Sequence, residues 1–583
     1  MQEPSRRGIT RRQFIGASAA AFAGLAAFGC APGTAPPQTV AGSGPIPAAP
    51  DRSALATVNV ASTGVVKGIA DIEGLTHHHQ PEVRSICHCP LSQYDHDGNV
   101  IPILAERIPS IDDGSWVVNP DGTMRMSWHL RKNARWHDGH PFTAKDIRFS
   151  WEFNNDRSLP IIRRTLHTNV TAMDVPDDYT LVMHWRIPNN FAHVVTLTDL
   201  FIYPEHIVRP LWESGEGERM LTNDFFLHEF VGLGPYRIDR WNPDESIVFK
   251  PFEDFFLGRP KIGTVVMHQL ENSQAILTRL LAGQLQMAAA YGLTFEDGTI
   301  AQEQWEARGE GKVYWTPVSL QRLILPPANP LFRDARVRKA LLLAIDRDEI
   351  NNTFFKGTAI IGHSLLHPNE PGYRAADPLI TKYPFDPRQA LTLMEEAGWR
   401  RGSDGVLANA AGERFEIVYR APVANQEYLH IQGAVANYWR DIGVRTTFEN
   451  VAANIASDAR ERATFTGVAQ QGGGTTVATL FRRWHSSYIP TAENRYIGDN
   501  LVHWNNPEAD RLLEQLERSF TQREMEDVLA RLARVFTDDL PALPLYYQPE
   551  PVAIHTNLKN ARPRPNSSGQ HSTTWSVHQW EWA

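Results

Sequence analysis

Alternating apolar and polar residues predict half-buried strands at several points along the chain. Residues 124–130, MRMSWHL, place Met, Trp and Leu on one face and Arg, Ser and His on the other. Residues 234–241 and 246–250 are also predicted strands, and NPDE at 242–245 is a turn-forming run between them. Shorter apolar runs predict further strands at residues 57–60, 415–418 and 543–547. ASTG at 61–64 is expected to turn immediately after the first of these.

Apolar residues at helical spacing predict helices between the strands. The segment 143–151 begins with Thr143, a residue type that caps helix N-termini, and places Ala144, Ile147 and Trp151 on one face. Further helices are predicted at residues 273–281, 337–350, 387–397 and 525–536. Helices and strands intermix without strict alternation or an internal repeat. The pattern therefore predicts a mixed α/β fold.

The first fifty residues have a different character from the rest of the chain. Residues 5–30 combine a basic start with a short run of Ala, Gly, Phe and Leu, which is typical of an export signal. TRRQFI at 10–15 resembles the twin-arginine export motif, and AFGC at 27–30 resembles a bacterial lipobox, in which the cysteine, here Cys30, is acylated. Residues 1–29 are interpreted as the export signal. Residues 30–53, rich in Pro, Gly, Ala and Ser, are interpreted as a flexible tether.

Composition narrows the class of protein. The 583 residues include 57 Lys and Arg against 66 Asp and Glu, and the resulting net charge of -9 argues against a nucleic-acid partner. An apolar content of 42% is enough for several large cores. No apolar run near 20 residues occurs beyond the N-terminus, which excludes a polytopic membrane protein. With Cys30 lipidated, only Cys87 and Cys89 remain, so disulfides are not the main source of stability.

Motifs for catalysis are absent from the sequence. It contains no G-x-S-x-G elbow, no H-E-x-x-H zinc helix and no G-x-x-x-x-G-K-[ST] phosphate loop. GGG at 472–474, followed by two threonines, lacks the lysine of a phosphate loop. We therefore expect no catalytic residues and no cofactor. A secreted hydrolase is the alternative from a different functional class.

Histidines and cysteines near residue 80 suggest a metal-binding alternative. Imidazole and thiolate suit zinc, copper or nickel, and the chain offers HHH at 77–79 and CHC at 87–89. On a strand, only His77 and His79 would share a side. The alternative metal ligands are thus His77, His79, Cys87 and Cys89. The favoured interpretation is a solvated histidine run and two cysteines that are buried or joined in a disulfide.

Several segments resemble, in order, the family 5 extracellular solute-binding proteins of ABC importers, which include oligopeptide, dipeptide and nickel binding proteins. LRKNARWHDGHPFTAKDI at 130–147 is similar to a signature of that family, and DARVRKAL with AIDR at 334–347 is similar to one of its helices. Other matching segments are GPY at 234–236, FFLGRPKI at 255–262, LAGQLQ at 281–286, residues 383–399, NNPEAD at 505–510 and WSVHQW at 575–580. Arg338 and Asp346 within these segments are expected to fix a helix through ionic or cap contacts.

The resemblance implies an α/β periplasmic-binding-protein-like fold of two lobes with mixed sheets and a subdomain inserted in lobe one. On that analogy, lobe one comprises residues 54–100, 206–315 and 541–583, the inserted subdomain comprises 101–205, and lobe two comprises 316–540. Closure of the lobes over a ligand is the expected motion.

The same resemblance implies an exported receptor that captures a small solute, such as a peptide or peptide-like compound. Its partners would be an ABC permease and ATPase complex. It would lie in the periplasm or on the outer face of the cytoplasmic membrane, held there by a lipid anchor. A metal or metal-chelate receptor of the same family is the alternative.

Ligand-binding residues are also suggested by the resemblance. In the peptide-binding members an Asp of lobe two pairs with the α-amino group of the peptide, whereas the matching segment here, GVAQQGGGTTVATLFRRWH at 467–485, has no acid. We therefore expect binding that does not depend on an α-amino ion pair. This segment instead offers amides, hydroxyls, guanidinium groups and an indole, which suit anionic, amide-rich or carbohydrate-like ligands as well as peptides. The candidates, including residues expected to follow strands, are Ser62, Thr63, Tyr419, Arg420, Gln471, Thr475, Arg482, Arg483 and Trp484.

Overall fold

The computed structural model describes residues 56–70, 72, 80–161, 165–370, 372–423, 425–473, 476–564 and 572–583. The expected export signal, the tether with Cys30, and the candidates His77, His79 and Thr475 lie outside these residues. Within the described ranges, none of the helices has the length and apolar character needed to cross a bilayer.

Strands and helices intermix along the chain, as the periodicity predicts. The strands are β1 Thr57–Thr63, β2 Ser92–Tyr94, β3 Val100–Pro102, β4 Trp116–Val118, β5 Met124–His129, β6 Val170–Asp177, β7 Thr180–Trp185, β8 Tyr236–Asn242, β9 Ser246–Pro251, β10 Thr264–Leu270, β11 Met287–Ala288, β12 Gly311–Ile324, β13 Ile360–Ile361, β14 Arg400–Arg401, β15 Leu407–Ala408, β16 Glu416–Pro422, β17 Arg445–Val451, β18 Val468–Gln471, β19 Ala542–His555, β20 Leu558–Lys559 and β21 Glu581–Trp582. The α-helices are α1 Gln80–Cys87, α2 Ala144–Asn154, α3 Thr165–Asn169, α4 Glu205–Glu213, α5 Asp224–Leu227, α6 Ser273–Leu281, α7 Phe295–Gln304, α8 Ala335–Leu343, α9 Arg347–Phe355, α10 Tyr373–Ala376, α11 Pro387–Glu396, α12 Gln426–Asp441, α13 Ala453–Ser457, α14 Ala459–Thr464, α15 Leu480–Trp484, α16 Pro507–Glu517 and α17 Gln522–Asp539. Short 3-10 helices span Gly217–Thr222, Glu306–Arg308, Pro330–Phe332, Asp377–Leu379, Val477–Thr479, Ser486–Tyr488 and Thr574–Gln579.

One large mixed sheet runs through both halves of the described structure, in the order β17-β16-β18-β12-β19-β11-β1-β10-β9-β8, with β13 also paired to β19. Strands β12 and β19 have 14 residues each. They pair antiparallel from Gly311 opposite His555 to Ile324 opposite Ala542. One end of this pair continues into β11 and β1, and the other end continues into β18 and β16. Within this sheet, the two lobes are therefore joined through a single pair of long strands.

The register of this joining pair is interrupted where it passes from one lobe to the other. Pro317 lies opposite Pro549, and shifts in register occur between Pro317 and Ser319 and between Gln321 and Arg322. Proline has no N–H group to donate to the ladder. The two facing prolines therefore leave out ladder hydrogen bonds at the crossing between the lobes.

A separate antiparallel sheet, in the order β4-β5-β7-β6, lies within the segment expected to form the inserted subdomain. The alternation of β5 buries Met124, Met126 and Trp128 on one side, as the pattern predicts. Distinct apolar cores form beneath the three parts of the fold. Representative buried members are Val58, Tyr236 and Val265 for the first lobe, Trp128 and Met183 for the smaller sheet, and Leu341 and Trp439 for the second lobe. The residue boundaries expected for these parts stay a prediction.

Local capping explains where several helices begin. Thr143 caps the start of α2, as the sequence predicts, and it forms a reciprocal capping box with Asp146. The single helix predicted over 337–350 is wrong, because the chain forms α8 and then α9. The side chain of Asp346 accepts a hydrogen bond from the Glu349 N–H and so begins a new helix.

Two strands are longer than predicted, and this changes the position of four candidate residues. The turn predicted at 61–64 is wrong, because β1 stays paired with β10 as far as Thr63 opposite Leu270. β16 likewise continues past 418 to Pro422, with Tyr419 and Arg420 inside it. Ser62, Thr63, Tyr419 and Arg420 are therefore strand residues rather than members of loops that follow strands.

Arg338 holds the start of the second lobe's helical layer against the end of α17. Its side chain is 8% exposed. It forms an ion pair with the Asp539 carboxylate at 2.8 Å. Its guanidinium also donates to the backbone carbonyl oxygens of Phe332, Arg333, Asp539 and Leu540. The expected ionic role of Arg338 is confirmed.

We predict that Arg338→Ala lowers the free energy of unfolding by about 2–4 kcal/mol, because it leaves several carbonyl groups without donors in a largely buried site. Arg388→Ala is the matched control, since Arg388 is exposed on α11. Denaturant unfolding followed by circular dichroism measures both. Equal stability of the two variants would contradict the role given to Arg338.

Candidate functional site

A cavity of about 1040 Å³ opens between the smaller-sheet region and the second lobe. Pro317, at the crossing of the joining strands, forms part of its wall. Other wall residues from the two sides include Tyr94, Trp116, Asn190 and Phe191, and His367, Glu370, Val477 and Phe520. A second cavity of about 300 Å³ shares Tyr94, Phe191 and Ala478 with the first. The two spaces are thus adjacent compartments of one interlobe cleft.

Direct contacts close one side of this cleft. The Asn190 N–H donates to the Glu517 carbonyl oxygen at 2.9 Å, and Asn190 Nδ2 donates to the Ser519 carbonyl oxygen at 2.8 Å. The rings of Trp116 and Phe520 meet edge to face, with centroids 5.5 Å apart. The described arrangement is therefore one in which the two sides already touch.

Glu370 supplies a carboxyl group to the wall of the larger cavity. Its Oε2 accepts a hydrogen bond from the Val477 N–H at 3.3 Å. Burial raises the pKa of Glu370 to about 8, and only this backbone donor opposes the shift. Glu370 and Val477 are 107 residues apart in the chain. The acid that is missing from the segment 467–485 is therefore brought beside it from another part of the sequence.

Gln471, Arg482 and Arg483 lie at the smaller cavity or beside it. Arg482 and Arg483 line that cavity, and Arg482 also pairs with Asp499 at 2.9 Å. Gln471 Oε1 accepts from Arg322 Nη2 at 2.9 Å. Arg322 was not among the sequence candidates, because it lies inside β12, about 150 residues before the segment that it contacts.

Trp484 occupies a different environment from the one expected of a stacking ligand contact. It is 1% exposed and packs edge to face against Phe536 and Trp504 in the core of the second lobe. One face of its ring lies 5.2 Å from the Arg322 guanidinium carbon. Trp484 lines neither of the two cavities.

The four strand candidates are not brought to the cavities. Ser62 and Tyr419 are buried, at 2% and 0% exposure, and Thr63 donates to the Tyr291 carbonyl oxygen. The Arg420 guanidinium forms ion pairs with two glutamates and stacks on a phenylalanine ring, which compensates its charge within the second lobe. These partners are Glu449, Glu461 and Phe465. Because the strands continue through these positions, the side chains pack within the lobes and line neither cavity.

Cys87 and Cys89 are buried free thiols and form no disulfide with each other. Burial raises the pKa of Cys87 to about 12 and raises that of Cys89 still further. Metals bind the thiolate form, so these surroundings oppose metal ligation by the pair. The sequence left open whether the two cysteines are buried or joined in a disulfide, and the structure shows that they are buried and free.

One group of possible metal ligands appears among the described residues, formed by Asp95, His96 and Asp97. The Asp95 carboxylate already accepts the backbone N–H groups of Asp97 and Asn99 in a turn. This arrangement accounts for the clustering without an ion.

Comparison with known proteins places the chain among solute-binding proteins. A family model described as "Bacterial extracellular solute-binding proteins, family 5 Middle" matches residues 99–493. The oligopeptide-binding protein AppA of Bacillus subtilis (strain 168) is 23% identical over 504 residues, covering 85% of this chain and 87% of that protein.

Solved structures share the fold. The oligopeptide binding protein from Thermus thermophilus, complexed with a pentapeptide, has a TM-score of 0.74 at 22% identity over 91% of this chain and 97% of that one. NikZ from Campylobacter jejuni, in complex with Ni(L-His), has a TM-score of 0.72 at 20% identity over 90% of this chain and 99% of that one.

We predict that Glu370→Gln stabilises the protein at pH 8 by about 2 kcal/mol and has little effect near pH 4.5. Between these values the unfolded chain ionises Glu370 while the folded protein keeps it protonated, so wild-type stability falls as pH rises through this window. Unfolding measured across pH 4.5 to 8 tests this, with exposed Glu395→Gln as control. A parallel pH dependence in wild type and Glu370→Gln would contradict it.

Proposed function

The chain belongs to the bacterial extracellular solute-binding proteins of family 5, and we propose that it is an exported receptor that captures a small peptide-like solute between its lobes. It delivers this solute to an ABC permease and ATPase complex and performs no chemistry on it. The observation that carries the proposal is the cavity of about 1040 Å³ at the crossing of the two joining strands. Small-molecule sites commonly occupy such clefts between lobes.

The wall of this cavity suits a ligand with both apolar and polar groups. Trp116, Phe191 and Phe520 offer aromatic surface, while Asn190 and Glu370 offer hydrogen-bonding groups. The similarity to oligopeptide-binding proteins of Bacillus subtilis and Thermus thermophilus supports a peptide-like ligand. A nickel chelate is the alternative, because one structural neighbour is described with Ni(L-His).

We predict that peptides of three to five residues bind without being cleaved. In thermal-shift assays, a bound peptide at about 100 times its dissociation constant adds roughly 2.7 kcal/mol to the free energy of unfolding. Ala478→Trp fills the wall shared by both cavities and is expected to remove this shift. Ala411→Trp, at an exposed turn, is the matched control.

N-acetylated copies of the same peptides test the role of the α-amino group, and we expect them to bind as the free peptides do. Loss of binding on acetylation would instead assign the amine to an acid such as Glu370. Cleavage of peptides by the pure protein would contradict a receptor function. Stabilisation by Ni(L-His) alone, with no peptide bound, would favour the alternative.

A lipid anchor at Cys30 is the second part of the proposal, supported by the lipobox-like AFGC at residues 27–30. We predict that Cys30→Ser moves the protein from the membrane fraction to the soluble fraction of the producing cell, because a thioether-linked lipid can no longer form. Cell fractionation with immunoblotting measures this, and Cys87→Ser is the control. A wild-type protein that is already soluble and begins well after residue 30 would contradict the anchor.

A further inference from the structure

Two guanidinium groups beside the smaller cavity, that of buried Arg322 and that of partly buried Arg483, have too few acceptors. Arg322 is 2% exposed, and its Nη2 donates to Gln471 Oε1, while Nε and Nη1 are buried without an acceptor. Arg483 lines the smaller cavity, and its Nε is also buried without an acceptor. Within the described part of the chain, no carboxylate forms an ion pair with either guanidinium. Unpaired buried charge is costly, so this arrangement calls for another partner.

The two guanidinium groups approach the same point. A Cβ atom placed on Gly473 would lie 2.5 Å from Arg483 Nη1 and 3.2 Å from Arg322 Nη1. The absence of a side chain at Gly473 thus leaves room for both groups. The Nη1 atoms of the two arginines thus converge beside Gly473, and of the two residues Arg483 lines the smaller cavity.

The charges around this point do not balance. Asp499 is the acid that acts on both groups, and it is already paired with Arg482 at 2.9 Å. Burial, together with repulsion from Arg483, lowers the pKa of Arg322 to about 9. Burial also lowers the pKa of Arg483 to about 10, and Arg482 and Arg462 add to that effect. Two further acids, Asp199 and Glu517, line the smaller cavity with Arg482 and Arg483, and burial raises the pKa of Glu517 to about 7. Among the groups that act on both guanidinium groups, several arginines therefore face the single carboxylate of Asp499.

Trp484 and Gln471 keep Arg322 in place for such a role. The indole face lies against the guanidinium, and the Gln471 amide oxygen accepts from one of its nitrogens. A guanidinium held in this way presents its remaining donors in a fixed plane, the geometry that matches a carboxylate.

We propose that Arg322 and Arg483 form an anion-binding subsite that takes a carboxylate of the bound solute. This rests on the proposed receptor function and specifies its selectivity: the receptor prefers solutes with a free carboxylate. The carboxylate supplies the missing counter-charge, and the rest of the ligand extends into the larger cavity through the wall around Ala478.

The first test uses acetate and inorganic sulfate as probes in thermal-shift titrations at constant ionic strength, with chloride as the reference salt. Wild type is expected to show saturable stabilisation that Arg483→Gln abolishes. Arg518→Gln, which changes an exposed arginine, is expected to respond as wild type does. Absence of any saturable stabilisation that depends on Arg483 overturns the subsite.

A second readout needs no ligand. Removing the partly buried charge of Arg483 relieves its repulsion with Arg322, so Arg483→Gln is expected to raise the melting temperature of the ligand-free protein by a few degrees. If Arg483 had only a structural role, Arg483→Gln would lower the melting temperature. A lower melting temperature for this variant therefore counts against the proposal. Gly473→Ala keeps both charges but crowds the meeting point, and it is expected to abolish the response to anions.

The third test separates the possible sources of the carboxylate. Calorimetry compares tetra-alanine with its C-terminal amide, and we expect the amide to bind roughly 30-fold more weakly or worse in wild type and equally in Arg483→Gln. Ni(L-His) is titrated in the same way, as the probe for a nickel-chelate ligand. If acetate or sulfate stabilises the protein but no peptide binds, the subsite stands and a peptide ligand is rejected. If tetra-alanine and its C-terminal amide bind equally and anions do not stabilise the protein, the subsite is rejected while the proposed receptor function stands.

Discussion

Antiparallel pairing between β12 and β19 is the interaction on which the rest of the structure depends. In the main sheet, each lobe continues from opposite ends of this one ladder, through β11 and β1 on one side and through β18 and β16 on the other. The facing prolines Pro317 and Pro549 withhold donors at the crossing. Strong pairing in each lobe and weaker pairing between them allow two rigid bodies to share one sheet, with a cleft between them.

Several ionisable side chains in this cleft lower the stability of the folded state, because burial disfavours their charged forms. Burial raises the pKa of Glu370, in the wall of the larger cavity, to about 8 and that of Glu517, in the wall of the smaller one, to about 7, while it lowers that of Arg322 and Arg483. A core chosen only for stability would replace such groups by apolar ones. Their concentration around the cleft fits the general observation that strained or destabilising groups gather at functional sites.

The sequence pattern predicts most helices and strands but does not identify the residues that the fold brings together in the cleft. β5 and α2 follow directly from alternation and from the Thr143 cap, because these signals are local. The ends of β1 and β16 were missed, since pairing with neighbouring strands extends both beyond their apolar runs. Glu370 and Arg322 were missed for a related reason: each meets the segment 467–485 only through the fold. A short sequence motif carries no information about such distant partners.

The contact that closes the cleft has a consequence for divergence among receptors of this kind. Asn190 donates to the backbone carbonyls of Glu517 and Ser519, and every residue type offers that acceptor. The side chains at 517 and 519 can therefore change without removing these closing hydrogen bonds. Both positions line the cleft, so a lineage can vary the side chains that meet the solute there while it keeps the same closing hydrogen bonds from Asn190.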